Sequence, residues 1–149
     1  MKLVEVDVED VQFIAEQLLG ESLEAKPVAA SRFLVDGATV LDTSAGLTWQ
    51  REVPNQRFTW AKAKEYAAGL ELAGGGWRLP TKEELASIVD YTRSNPAIDP
   101  VAFPNTPSEW FWSSSPYASY SNLAWLIYFG AGYTSYYYIS YPYGVRCVR

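Results

Sequence analysis

The side chains able to do chemistry in this chain are concentrated in its last third, and they are almost all hydroxyls and aromatic rings. From Trp110 to Val145 there is no Asp, Glu, Lys or Arg, and every tyrosine except Tyr66 and Tyr91 lies between Tyr117 and Tyr143. Catalysis needs a positioned acid, base or activated nucleophile. The chain has no histidine, and Cys147 is its single cysteine. The run Ser113-Ser114-Ser115 therefore lacks a histidine to activate it, and no Ser-x-x-Lys string surrounds it. Its expected role is hydrogen bonding at a strand end. Cys147 sits in an apolar terminal run with Val145 and Val148 and reads as a buried thiol. Its count rules out an intramolecular disulfide and a Cys/His zinc site. Asp90, Asp99 and Glu109 are too dispersed to signal a calcium cage. No catalytic residue, metal site or cofactor is expected.

What the window offers is recognition chemistry. Tyrosine presents a large contact area with few rotors, while Ser, Gly and Asn add adaptable hydrogen bonds. The candidate ligand-binding residues are Tyr117, Ser119, Tyr120, Ser121, Asn122, Tyr133, Ser135, Tyr136, Tyr137, Tyr138, Ser140, Tyr141 and Tyr143. If Tyr133 to Ile139 is a strand, alternation puts Tyr133, Ser135 and Tyr137 on one face and Tyr136 and Tyr138 on the other. One of the two sets would then belong to the core. Gly130, Gly132 and Pro142 mark bends able to turn several of these residues outward.

The elements that must position these residues are legible in outline. Asp7 to Leu19 carries Val8, Val11, Ile14, Ala15 and Leu18 as a one-face stripe, which predicts an N-terminal helix, with Glu21 to Ser31 as linker. Residues 1–30 are thus expected to be an acidic helix and linker, and 31–149 the main domain. In that domain Arg32 to Val35 and Thr39 to Leu41 flank Asp36-Gly37, a hairpin signal, and Leu47 to Gln50 is a further short strand. Thr59 is placed to cap a helix with Trp60, Ala63, Tyr66, Ala67 and Leu70 on one face. Thr81 and Glu84 form a capping box for a second helix that buries Leu85, Ile88 and Val89. A proline-punctuated loop follows, from Pro96 to Pro107. Strands are then expected at Trp110 to Ser113, Ala124 to Phe129, Tyr133 to Ile139 and Val145 to Val148. Helices in the middle and strands at both ends predict an α+β domain whose terminal strands pair.

The 149 residues are 48% apolar and 15% aromatic, enough for one well-packed domain, and the formal net charge is −5. Glu5, Asp7, Glu9, Asp10, Glu16, Glu21 and Glu24 crowd the first 30 residues against Lys2 and Lys26 alone. No basic footprint is present, so nucleic acid is not an expected partner. No stretch is apolar enough to span a bilayer, and the N-terminus lacks the basic-then-apolar pattern of a signal peptide.

Several ordered strings read as scaffold. They are Asp42-Thr43-Ser44-Ala45-Gly46-Leu47-Thr48-Trp49, Gly76-Trp77-Arg78-Leu79-Pro80-Thr81, Trp110-Phe111-Trp112-Ser113, Ala124-Trp125 and Val145-Arg146-Cys147-Val148-Arg149. Trp49, Trp77, Trp112 and Trp125 are expected to be buried, with Trp125→Ala costing about 3–5 kcal/mol at a packed site. Arg78 and Arg146 sit in apolar context and must find carbonyls or a carboxylate such as Asp42 or Glu84.

In this order the strings resemble the C-terminal domain family of the Legionella collagen-like adhesin, over about Arg32 to Arg149. That family is similar to the C-type lectin fold and to formylglycine-generating-enzyme domains. The resemblance implies a C-type lectin-like fold, an adhesin-type role and a cell-surface or virion location. The copper or cysteine chemistry of the enzyme relatives does not carry over to a chain whose lone cysteine lies in a core-like strand. A narrower resemblance is to the variable proteins of diversity-generating retroelements, which randomise template adenines near the C-terminus. Such changes at Asn codons never yield Lys, Glu, Gln, Met or Trp. Between Tyr117 and Gly144 there is no Lys, Glu, Gln or Met, and Trp125 belongs to a scaffold string. The resemblance implies a diversified ligand-binding segment. The other reading is an ordinary family member, in which Tyr, Ser and Asn are common here. A protein ligand is favoured over a glycan, because the window holds one amide, Asn122, and no carboxylate to read sugar hydroxyls. A carbohydrate-binding adhesin domain and a structural or oligomerisation domain remain as alternatives.

Overall fold

The computed structural model describes residues 31–149. The expected N-terminal helix lies outside the described residues. Three short strands come first: β1 (Phe33–Asp36), β2 (Thr39–Asp42) and β3 (Leu47–Gln50). They form an antiparallel sheet in the order β1-β2-β3. The hairpin falls where the sequence places it, with one change. Asp36 pairs with Thr39, so the loop residues are Gly37 and Ala38. Gly37 has φ +62°, the left-handed value a glycine adopts without cost.

Helix α1 (Trp60–Gly69) and the one-and-a-half-turn helix α2 (Lys82–Ser87) follow. Thr59 stands at the N-cap of α1, but its side chain makes no capping hydrogen bond there. The capping box of α2 is complete. Thr81 Oγ1 accepts from the Glu84 N–H at 3.1 Å, and Glu84 Oε1 accepts from the Thr81 N–H at 2.8 Å. The loop after α2 is more than punctuation, because its Ile98, Ala102 and Phe103 are buried.

The second antiparallel sheet holds β4 (Trp110–Pro116), β5 (Leu123–Tyr128) and β6 (Tyr133–Tyr138) in the order β4-β5-β6. The whole is α+β, with two helices and two small sheets among the described residues. The β5–β6 turn depends on Gly132, at φ +92°, where a Cβ would lie 2.6 Å from Val89 Cγ1.

The last residues join the sheets. Gly144 pairs in parallel with Phe111 on the outer edge of β4, while Val148 bridges Trp49 on one side and Arg78 on the other. Thr48 and Arg149 exchange backbone hydrogen bonds at 2.8 and 2.9 Å. The expected strand at Val145 to Val148 is therefore a stitched segment of isolated bridges, and it does bring the two ends of the domain together.

Side chains alternate across β4 and β5, so the second sheet has a core on each face. Phe111 and Ile127 face a cluster with Val40, Trp49, Leu85, Ile88 and Phe103. Trp112 and Leu126 face another, with Ala63 and Ala67 of α1, Trp77 and Val145. Helix α1 packs on β4 and α2 on β4 and β5, and at the start of α1 the Trp60 N–H donates to the carbonyl of Ile139, just past β6.

Among the described residues the buried side-chain polar groups are hydrogen-bonded, apart from the Trp49 indole N–H, which has no partner, and Glu109 Oε1, which meets Arg57 in an ion pair. The Asp42 side chain is 0% exposed and accepts from Arg32 at 3.0 and 2.8 Å and from Ser44 at 3.0 and 2.8 Å. Arg78 is half-exposed and meets Glu84 in a bidentate pair at 2.7 and 2.9 Å. Burial raises the Asp42 carboxyl, but the hydrogen bonds from Arg32 and Ser44 outweigh it and hold the pKa below 3.8. The hydrogen bonds from Arg78 hold Glu84 below 4.5. Both folded values lie beneath the unfolded ones. Their stabilisation is therefore complete above the unfolded pKa values and is lost as pH falls through the folded values. Thermal melts should show a falling midpoint below about pH 4, and Asp42→Asn should flatten that fall. An acid profile identical in the variant would remove Asp42 from this account.

Candidate binding surface

None of the thirteen candidate contact residues is buried. Ser119, Tyr120, Ser121, Asn122, Tyr133, Tyr136, Tyr137, Tyr138, Ser140 and Tyr141 are exposed, and Tyr117, Ser135 and Tyr143 are half-buried. The expectation that one face of Tyr133 to Ile139 is core is overturned. Tyr133 and Tyr137 are 64% and 38% exposed on one face, and Tyr136 and Tyr138 are 41% and 47% exposed on the other. The cause is the position of β6 at the sheet edge, while the helices pack chiefly on β4 and β5.

Cross-strand register sorts the aromatic rings onto opposite faces. Trp125 is opposite Tyr136, and on that face Tyr117 lies 4.1 Å from Tyr136 and 5.4 Å from Trp125 between ring centroids. Tyr120 stacks on Tyr117 at 6.2 Å, with planes 3° apart. The Lys82 ammonium, at the start of α2, stands 4.0 Å over the Trp125 ring. A hydrogen bond to Tyr136 raises the Tyr117 phenol above its ordinary pKa, so this group is neutral at physiological pH.

On the other face Tyr137 packs edge-on against Tyr141 at 4.8 Å and against Tyr143 at 6.1 Å. Tyr138 lies edge-on to Tyr137 at 5.4 Å. Further along, Tyr133 stacks on Tyr128 at 6.0 Å, and Tyr128 meets Trp110 at 5.1 Å. A cleft of about 300 Å³ beside Trp110 and Tyr128 is floored by Pro142 and Tyr143. The Arg57–Glu109 ion pair borders it. Arg57 and Pro142 also line a neighbouring cleft of about 620 Å³ that runs to Lys62 and Tyr66 of α1.

Sequence reasoning missed part of this surface. Trp49, Trp77 and Trp112 are buried as expected, at 0%, 4% and 0% exposure. Trp125 is only half-buried and forms the centre of the first aromatic group. Lys82, Trp110 and Tyr128 also belong to the surface. Strand parity was the available signal for Trp125, since its neighbours Ala124 and Leu126 point into a core.

The remaining reactive groups are structural. Ser113 Oγ donates to the Trp125 carbonyl at 2.8 Å, and Ser115 Oγ accepts from the Lys82 N–H at 2.9 Å. Burial pushes the Cys147 thiol up to about 12. Asp90 and Asp99 accept from residues within three positions of themselves. Among the described residues no group of acidic or thiol side chains converges in a way that could hold a metal ion.

The surface of β5 and β6 is thus aromatic and hydroxyl-rich, with Lys82 at its margin, on a small α+β scaffold. Over residues 38–149 the chain matches the model of the Lcl C-terminal domain, that of the Legionella collagen-like protein, and it belongs to this family. Membership supports an adhesin-like role. Comparison with curated proteins yields no match.

Proposed function

We propose that this domain is a receptor-recognition module of adhesin type that binds protein ligands through the Tyr/Ser-rich surface of β5, β6 and their flanking loops, without catalysis. One observation carries the reading. Every candidate contact residue is exposed or half-buried in a segment with no charge, and β6 is open on both faces. Large apolar-aromatic surfaces on a folded monomer mark interaction sites. Trp125, flanked by Tyr117 and Tyr136, has the size and setting of an interface hot spot. The bridging of the C-terminal segment onto β3, in a domain that also holds two helices, supports a C-type lectin-like scaffold. The exposure of the segment from Tyr117 to Tyr143 fits retroelement diversification too, because residues that support no core tolerate exchange. A near-duplicate of the 3′ coding segment, differing at adenines beside a reverse transcriptase gene, is the observation that tests this part.

The surface makes a separable claim about mutants. Changing Tyr120, Tyr136, Tyr137 and Tyr141 singly to Ser should leave the melting temperature nearly unchanged, because exposed residues contribute little to the fold. The same changes should weaken binding to a cognate protein, with Tyr136, beside Trp125, costing about 2 kcal/mol or more. Calorimetric melts and surface-plasmon titrations read the two effects. Unfolding by most of these single changes would remove the binding-surface reading. A glycan reading has one observation in its favour, the Trp125–Tyr117–Tyr136 group, whose rings suit sugar faces. Glycan-array binding lost in Trp125→Ala, with no protein ligand found, would select it.

A further inference from the structure

We propose that β6 is a homotypic pairing edge, along which two copies of the chain join antiparallel so that their second sheets become one. The other sheet edges are closed or guarded. Gly144 pairs with the outer edge of β4, and Val148 with that of β3. β1 has four residues, carries Asp36 and follows Arg32. β6 has six residues in unbroken register with β5, whereas the β4–β5 ladder shifts between Trp112 and Pro116. Folded proteins ordinarily protect such an edge with Lys, Pro, a bulge or a covering element. From Tyr133 to Tyr138 β6 has none of these among the described residues, and α1 meets the chain only past it, at the Ile139 carbonyl.

Hydrogen-bond parity shows which backbone groups are open. Leu123 spends its N–H and C=O on Tyr120 and Tyr117, and the Phe129 N–H goes to Glu109, so the odd-numbered residues along β5 bond toward β4. The even-numbered Ala124, Leu126 and Tyr128 therefore bond to Tyr137, Ser135 and Tyr133. The N–H and C=O of Thr134 and Tyr136, and the N–H of Tyr138, are left directed outward.

Charge selects the occupant. In a two-fold pairing each side chain meets the same strand of its copy, so a charged residue would face its like. β6 and the whole window around it are uncharged, and self-pairing is free of this penalty. A pairing centred on Tyr136 sets Tyr136 against its twin, Thr134 against the partner's Tyr138, and Ser135 against the partner's Tyr137. Aromatic pairs and Tyr–Thr pairs of this kind stabilise antiparallel ladders. Tyr136 and Tyr138, now 41% and 47% exposed, would gain cover. A single strand edge buries less than the roughly 1,600 Å² of a standard interface, so the dimer is concentration-dependent. Pairing would also set two Trp125 groups on one continuous face, a bivalent surface.

Sedimentation velocity of the full chain over a hundredfold or so range of concentration tests this. The expected result is a reversible monomer–dimer equilibrium. Tyr136→Lys places like charges at the two-fold centre and should weaken the dimer by at least ~10-fold. Tyr136→Pro removes an outward N–H while sparing the ladder to β5, and should also give monomer. Val101→Lys adds the same charge at a residue 73% exposed outside the window and should leave the dimer intact. If Tyr136→Pro fails to fold, Tyr136→Lys with an unchanged melting temperature decides the question. A chain that stays monomeric throughout would overturn the proposal. So would a dimer indifferent to Tyr136→Lys, or one weakened equally by Val101→Lys.

Discussion

Arg146→Met is expected to destabilise the domain by about 3–5 kcal/mol, a large part of the 5–15 kcal/mol that holds a domain of this kind folded. Arg146 is 1% exposed, yet among the described residues no carboxylate pairs with it. Its guanidinium donates from Nη1 to the carbonyls of Gln50 and Arg51, both at 2.6 Å, and from Nη2 to Thr106 Oγ1 at 2.8 Å. Its plane lies 4.8 Å from the Phe103 centroid. Burial pushes its pKa down to about 9, so the group is still protonated at neutral pH. Methionine would fill much of the same volume against Phe103. It would leave the carbonyls of Gln50 and Arg51 without this donor, at about 1–3 kcal/mol for each buried orphan, while the Thr106 hydroxyl keeps its bond to the Phe103 carbonyl. Arg146→Lys should fall between, because one ammonium cannot reproduce the fork that spans the end of β3 and Thr106. Urea denaturation at neutral pH measures all three proteins. A loss below about 1 kcal/mol in Arg146→Met would show that water reaches the carbonyls and that the fork is dispensable.

Two tryptophans in neighbouring strands should part company in the same assay. Trp112→Ala is expected to cost about 3–5 kcal/mol. Trp112 is fully buried, its indole N–H donates to the Phe58 carbonyl at 2.7 Å, and its ring meets Tyr143 edge-on at 5.3 Å. Truncation would open a cavity between α1 and the second sheet and leave the Phe58 carbonyl with the Tyr143 N–H as its remaining donor. Trp125→Ala should cost less than half as much, contrary to the sequence-based expectation, because its ring is half in solvent and lies on rings that are themselves exposed. Under the proposed function it should cost the greater loss of ligand binding. Equal destabilisation by the two changes would return Trp125 to the scaffold.

Local features were legible without the structure because their causes are local. Thr81 and Glu84 cap α2 through atoms three residues apart, and Asp36-Gly37 marks the first hairpin through backbone freedom at Gly37. The burial of Trp49, Trp77, Trp112 and Cys147 follows from apolar side chains in strand or turn strings that must be covered. The Tyr/Ser window could be read as surface because it lacks the aliphatic residues of a core strand. By itself the sequence therefore determined the two helices, the strands other than the expected one at Val145 to Val148, the uncharged window and the family.

Tertiary structure alone decided what covers what. Alternation splits the tyrosines of β6 into two sets, and for a strand with one face on a core that would bury one of them. Both sets are exposed because β6 lies at the sheet edge while α1 and α2 pack chiefly on β4 and β5. No local rule specifies that lateral offset. Trp125 points to the face opposite its neighbour Leu126, whereas Trp112, the cross-strand partner of Leu126, lies in the core with Ala63 and Ala67 of α1. Thr59 has the residue type of a cap and not the hydrogen bond, since the local side-chain geometry was free to differ from the motif. Arg146 found its acceptors at Gln50, Arg51 and Thr106, on segments distant in the chain. Burial, unlike propensity, is a property of neighbours brought together only by the fold.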